Sequence, residues 1–363
     1  MSTPLLDFRK KRNLQPAALL WPLYRPGQAP FRFSARTPAE ASRWRARTRT
    51  ALADTVGFTS LPPAPLSPKR LERTDKGDYV REKILLRTSA RSLMPVYLLI
   101  PKKLKGPAPV VIALHGHGYG VKDIVGLWET GDERNTPDGY HKDFGVALCR
   151  RGFVVAAPEI SCFGERQSDF SWLYKGLGSG IPSTCTHTAF LATHLGGTAL
   201  GLRLHDARRL IDYLQTRREA KADAIGAMGI SGGGMHAFFS TCLDERIKAC
   251  VVSGYFSTFR DSILAMHHCP CNFVPGLGRF GEMSDLAGLI APRPMLVEAG
   301  TRDPIFPLPA VKKGLAAARR IFAASGAPAD ALQADIFEGR HAISGRLAYD
   351  FLAARLGLDE GAS

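Results

Sequence analysis

Several features that would assign the chain to a specialised class are missing. No stretch reaches the run of roughly 18 to 20 apolar residues that a membrane-spanning helix needs, so no membrane partner is expected. The first twelve residues, M-S-T-P-L-L-D-F-R-K-K-R, lack the continuous apolar segment of a signal peptide, and the expectation is a cytoplasmic protein. Cysteines number seven, an odd count that argues against a complete disulfide framework. Cys149, Cys242 and Cys250 lie in apolar context and read as small buried hydrophobes. Internal repeats and low-complexity tracts are absent, which sets aside repeat architectures. Acidic residues are few beside basic ones, 33 against 48, giving a formal net charge of +15. That imbalance raises a nucleic-acid partner, but much of it sits in Arg9–Arg12 and in the segment Arg36 to Arg49, with the rest scattered. No zinc-finger spacing or recognition-helix pattern accompanies it, so no nucleic-acid partner is expected.

What is present reads as an ordinary globular protein, 45% hydrophobic and 22% charged, whose 363 residues can support one large α/β domain. Prolines at 16, 22, 26, 30, 38, 62, 63, 65 and 68 break the first 75 residues into short pieces, one of them a helix that starts near Thr37-Pro38-Ala39-Glu40. Residues 1–75 are therefore expected as an extension packed on the core, outside the sheet, and 76–363 as the main domain. The sheet is expected to open with a hairpin, Tyr79 to Arg87 and Met94 to Pro101. Pro109 to Leu114, Phe153 to Pro158, Ala224 to Met228, Ile247 to Ser253, Arg293 to Gly300 and Ala331 to Phe337 follow. The central runs are apolar without alternation, as strands buried on both faces are. Helical patterns at Phe144 to Gly152, Thr198 to Leu214, Met235 to Cys242, Pro309 to Ser325 and Ile343 to Leu356 lie between or after them. This alternation predicts an α/β fold with a central, mostly parallel sheet flanked by helices. Residues 254–292 interrupt it late and are expected as an insertion lining the cleft.

The chain is organised around Gly229-Ile230-Ser231-Gly232-Gly233, a G-x-S-x-G pattern between a predicted strand and a predicted helix. A strand-to-helix turn this tight crowds the backbone around the serine, so its flanking residues must be small. A serine hydroxyl is a weak nucleophile unless a base takes its proton. Two later loops can supply the partners in the order acid, then histidine: Asp303 in G-T-R-D-P-I-F-P and His341 in E-G-R-H-A-I-S. Asp261 is the main rival for the acid because it also follows a central strand; Glu298 precedes its strand end. His187, His194 and His205 read as surface or supporting groups, and His236 as a packed histidine on the helix after the serine.

Charge developing on a substrate oxygen needs donors already in place. The backbone N–H of Gly232 is one, and that of His117 in H115-G-H-G118 the other, with Gly118 and Tyr119 as alternatives. Candidate pocket residues are Tyr119, Glu159, Cys162, Phe163, Arg166, Trp172, Tyr255 and His268, with Tyr174 and Phe256 as further apolar contacts. Arg166 would bind either an acidic substrate group or an internal carboxylate. H267-H-C-P-C271 puts four metal-capable side chains in five residues, but adjacent ligands close one tetrahedron poorly and no second ligand cluster stands at standard spacing. A pocket-lining loop is the expectation there, with no metal and no cofactor.

With these residues in hand, the chain resembles the α/β-hydrolase superfamily, in its dienelactone-hydrolase-like and acetyl-xylan-esterase-like branch. The resemblance runs from about Tyr79 to Leu356 and rests on P-V-V-I-A-L-H-G-H-G, G-I-S-G-G-G, T-R-D-P-I-F-P and G-R-H. It implies the α/β-hydrolase fold, with Ser231 as nucleophile, Asp303 and His341 completing a triad, and His117 and Gly232 as oxyanion donors. Dienelactone hydrolases proper have cysteine at the elbow where this chain has Ser231, so ring opening of lactones is not implied. The expectation is a serine esterase acting on a small-molecule ester with a short-chain or aromatic acyl group. The alternatives are a serine peptidase or other acyl-transfer hydrolase, and a non-catalytic binding module of the same fold. A homo-oligomer is compatible with the sequence.

Overall fold

The apolar runs without alternation become neighbouring parallel strands, because only a strand covered on both faces can bury every side chain. A computed structural model describes residues 15–59, 61–62, 64–169 and 183–358. Among the described residues nine strands form one sheet: β1 (Lys69–Asp75), β2 (Tyr79–Ser89), β3 (Ser92–Pro101), β4 (Ala108–Leu114), β5 (Val154–Pro158), β6 (Ala220–Ile230), β7 (Ile247–Ser253), β8 (Met295–Gly300) and β9 (Leu332–Phe337). Their order is β1-β2-β3-β5-β4-β6-β7-β8-β9. β1, β2, β3 and β5 pair antiparallel, while β5, β4 and β6 to β9 run parallel. All side chains of β4, β5 and β8 are buried.

Helices cover both faces. On one, α2 (Pro38–Val56), α4 (Thr184–His194), α5 (Ala199–Leu214), α6 (Gly232–Leu243) and α8 (Leu308–Ala324) contribute to the larger core cluster, which includes Trp44, Leu200, Phe238 and Leu315. On the other, α3 (Phe144–Arg150) and α9 (Ala348–Leu356) enclose a second cluster with Phe144, Leu148, Phe351 and Leu352. α2 forms where expected: the Thr37 hydroxyl accepts from the Glu40 N–H and Pro38 occupies the first turn. Among the described residues no helix is long and apolar enough to cross a membrane.

Two local expectations fail for identifiable reasons. β1 extends the sheet into residues expected to lie outside it. Its sequence, K-R-L-E-R-T-D, has no apolar alternation, since an edge strand is held by its ladder to β2 and exposes nearly all its side chains. The closing helix starts at Ala348 instead of Ile343, because the buried Glu298 carboxylate accepts the Ser344 and Gly345 N–H groups and holds that stretch as a loop.

The segment 254–292 carries a π-helical turn (Phe259–Ile263) and two 3₁₀ turns (Pro270–Asn272 and Leu277–Phe280) before α7 (Met283–Ala287). Residues between the short α1 (Pro16–Leu23) and α2 contact this segment. Phe31 stacks on Phe280 at 5.1 Å, the Tyr24 hydroxyl donates to Glu282 and the Phe33 N–H to Asp285. The N-terminal segment thus braces the insertion, and none of its described residues lines the cleft around Ser231.

Candidate active site

Loops at the carboxyl ends of the six parallel strands β4 to β9 converge on one cleft of about 860 Å³. β6 delivers Ser231 in a backbone conformation, φ 58° and ψ −121°, that side-chain-bearing residues rarely adopt. The glycines around it are required sterically. A Cβ on Gly229 would lie 2.2 Å from the Gly233 carbonyl oxygen, and one on Gly233 2.0 Å from that of Leu114. The turn is fixed from both sides: the Ser231 N–H donates to Ser253 O on β7, and the Met235 N–H of the following helix donates to Ser231 O.

β8 ends three residues before Asp303. The Oδ1 of this buried carboxylate accepts from the Ile305 and Phe306 N–H groups, both at 3.0 Å, and its Oδ2 lies 2.7 Å from Nδ1 of His341. A carboxylate can only accept, so Nδ1 carries the proton and Nε2 keeps its lone pair. That Nε2 is shielded and has no hydrogen-bond partner among the described residues. The imidazole is held between Tyr140 (5.5 Å) and Phe306 (5.8 Å, stacked). It also packs on Gly254, where a Cβ would come within 2.9 Å of its Cε1. His341 and Ser231 line the same cleft. Asp261 is turned elsewhere, toward the Thr258 hydroxyl and Lys313. His236 donates from its ring to Arg203 O inside the core, as a packed histidine does.

The loop after β4 is built to present a peptide N–H. The Nδ1 of His115 donates to Gly116 O at 2.8 Å, which orients the planar peptide whose N–H belongs to His117. The Tyr140 hydroxyl donates to His117 O and anchors the next peptide. Gly116 N–H donates to Nε2 of His141; burial, reinforced by nearby His115, pushes that imidazole down to about 2, so it remains a neutral acceptor. A Cβ on Gly116 would strike the Tyr140 hydroxyl at 2.3 Å and the Ile230 carbonyl at 2.9 Å. Gly232 opens α6, where the first N–H groups have no partner within the helix. A Cβ there would lie 3.2 Å from Nδ1 of His117, so the two expected donors come from adjoining residues.

The pocket expectations divide. Cys162, Tyr255 and His268 line the cleft. Four others do not. Arg166 is paired with Asp206 at 2.6 Å and also donates to Glu159 O, so it serves an internal ion pair. The Glu159 carboxylate is buried beneath the β4 loop, accepting the Val121 N–H and lying 3.2 Å from Nε2 of His115. The Tyr119 hydroxyl donates to Leu127 O and meets Arg134, away from Ser231. Phe163 packs its ring edge-on behind His115 and His117. Phe256 is buried against Phe238. Strand-end position does not say which way a side chain turns, and each of these found a partner outside the cleft lining. Trp172 and Tyr174 lie outside the described residues.

Sequence reasoning missed Tyr140, which lies 23 residues from the loop it anchors and carries no motif. It also missed Cys185, on α4. The sulfur atoms of Cys185, Cys269 and Cys271 and a ring nitrogen of His117 all lie within 4.8 Å of one another. The metal-capable set is therefore not H267-H-C-P-C271 by itself. Its two cysteines are joined by two residues distant in sequence, while His268 faces Ser262 and Phe306.

The chain is similar to several known proteins. The protein YtaP of Bacillus subtilis (strain 168), named as a candidate hydrolase, is 29% identical over 272 residues, which cover 72% of this chain and 83% of YtaP. A candidate acetyl xylan esterase of Bacteroides fragilis NCTC 9343 superposes with a TM-score of 0.72 at 18% identity, over 90% of this chain and 82% of that one. The glucuronoyl esterase of Solibacter usitatus gives 0.64 at 16% identity, over 91% and 99%. Both share the α/β-hydrolase architecture. The Abhydrolase family model matches residues 25–320, and the chain belongs to that family.

Proposed function

We propose that the chain is a serine-dependent carboxylic ester hydrolase working through an acyl-enzyme. The observation that carries this reading is the Asp303–His341 pair at 2.7 Å, with an unpartnered imidazole Nε2 in the cleft that also holds the elbow serine. In the first half-reaction Nε2 of His341 takes the Ser231 hydroxyl proton as Oγ attacks the ester carbonyl. The tetrahedral oxyanion is met by the N–H groups of Gly232 and His117. Collapse breaks the bond to the alkoxy oxygen, which leaves with the proton from Nε2. Water then attacks the acyl-enzyme, giving a proton to Nε2, and collapse of the second tetrahedral species breaks the bond to Oγ, which takes that proton back as the acid leaves. Asp303 holds the tautomer and stabilises the imidazolium without taking a proton.

The named esterases among similar structures favour an ester over an amide. The lining supports a compact acyl group: Tyr140, Tyr255 and Phe306 offer apolar surface, while Gln167, Thr184 and Asn272 are polar and suit an alcohol portion that carries hydroxyls. Ser231→Ala should lower turnover of p-nitrophenyl acetate by at least about 10³-fold with an unchanged Tm. Turnover within a few-fold of the parent would refute the assignment.

A further inference from the structure

Three thiols and an imidazole converge beside the cleft from three remote parts of the chain. His117 comes from the loop after β4, Cys185 from the first turn of α4, and Cys269 and Cys271 from the tight turn around Pro270. Cys185 and Cys271 are buried, Cys269 and His117 half-buried. All seven cysteines are free thiols, so no disulfide accounts for the gathering. We propose that Cys185, Cys269, Cys271 and His117 bind one zinc ion in a closed Cys3His site that ties the oxyanion loop to the insertion.

The geometry fits. Zinc–sulfur bonds of about 2.3 Å in a tetrahedron place ligand sulfurs about 3.8 Å apart. Ligand atoms already within 4.8 Å of one another need only small side-chain rotations to reach that spacing. The donor set of three soft thiolates and one imidazole selects zinc over magnesium or calcium. Among the described residues Nε2 of His117 is shielded and makes no hydrogen bond of regular geometry, while the ring lies against the Cys269 and Cys271 thiols, as a ligand of a shared metal would. Its Nδ1 faces the elbow at Gly232, on the other side of the ring.

Charge points the same way. Arg203 is fully buried, and among the described residues it meets no carboxylate. Its Nη2 donates to Cys185 Sγ at 3.3 Å and to Ser161 O, and its guanidinium lies over the Phe163 ring. A buried cation without an anion is costly. Zinc with three thiolates and a neutral imidazole carries one net negative charge, which Arg203 would balance while orienting a ligand sulfur. Four protein ligands leave no open position, so the ion is structural and does not polarise the ester. Its effect on catalysis is through the His117 backbone, a consequence that rests on the esterase reading; binding itself does not.

The test is metal stoichiometry, which is independent of activity. Full-length protein purified without chelators from zinc-supplemented culture should hold about one zinc per chain by mass spectrometry of the elements. Cys185→Ser and Cys271→Ser should each fall at least tenfold, and Cys149→Ser, remote from the cluster, should not. Should the ligand variants fail to fold, parent protein exchanged with cobalt(II) should show the strong visible bands of a tetrahedral thiolate site. Zinc below about a tenth per chain would overturn the proposal, and so would a disulfide among Cys185, Cys269 and Cys271 found by peptide mapping.

Discussion

Replacing Asp303 by asparagine changes one atom, and the structure dictates how the new side chain must sit. Oδ1 of Asp303 accepts two backbone N–H groups, from Ile305 and Phe306, both at 3.0 Å. Asparagine must keep its carbonyl oxygen there, since its NH2 group would face two donors. The NH2 is then forced into the place of Oδ2, 2.7 Å from Nδ1 of His341. There it can only donate, so Nδ1 must become the acceptor and the ring proton moves to Nε2. A protonated Nε2 cannot take the proton of Ser231. Tautomer reversal of this kind costs a factor on the order of 10⁴ in turnover in serine hydrolases, about 5.4 kcal/mol of transition-state stabilisation. The fold should hardly notice, because the shape and the two backbone bonds survive. The assay is kcat and KM on p-nitrophenyl acetate beside the thermal midpoint. Asp303→Asn should lose roughly four decades in kcat with a Tm close to that of the parent. A kcat within tenfold of the parent, at unchanged Tm, would refute the orienting role of Asp303.

Two further outcomes follow from the site and its surroundings. Tyr140→Phe removes the hydroxyl that anchors His117 O while keeping the ring beside His341. It should lower kcat roughly tenfold with little change in KM, and an unchanged kcat would remove Tyr140 from the oxyanion assembly. His236 is fully buried, and burial, with nearby Arg203, pushes its imidazole down from 6.5 to about 3. The folded state thus resists a proton that the unfolded chain accepts, so its contribution is complete above pH 6.5 and is lost as pH falls toward 3. Denaturant titrations across that window should show a loss of up to about 1.4 kcal/mol per pH unit from this group. His236→Gln, whose amide can still donate to Arg203 O, should flatten the pH dependence by that amount; identical slopes would contradict it.

Much of the architecture was legible because it is written locally. An unbroken apolar run such as Pro109 to Leu114 has few stable environments other than a strand covered on both faces, and it became β4. The elbow was legible for a steric reason, its glycines being set where a Cβ would meet backbone within about 2 Å. Asp303 and His341 stood at predicted strand ends in the expected order, and the fold brought them together while Asp261 went elsewhere.

Long-range pairing was not legible. Nothing near Arg166 announces Asp206, forty residues on, and nothing in the β4 loop announces Tyr140. The charged β1 carries no apolar signal because its stability lies in backbone bonds to β2. The cysteine-histidine cluster escaped for the same reason. Its ligands at 117, 185, 269 and 271 share no spacing, and only folding makes them neighbours.

Whether Ser231 is the nucleophile shows in where a serine-directed reagent lands. Parent protein treated with a fluorophosphonate should gain one adduct per chain, mapped by peptide mass spectrometry to Ser231, with hydrolysis lost in proportion to labelling. Ser231→Ala should gain none. An adduct on any other residue, or full ester turnover by fully labelled protein, would contradict the claim that this elbow serine is the nucleophile.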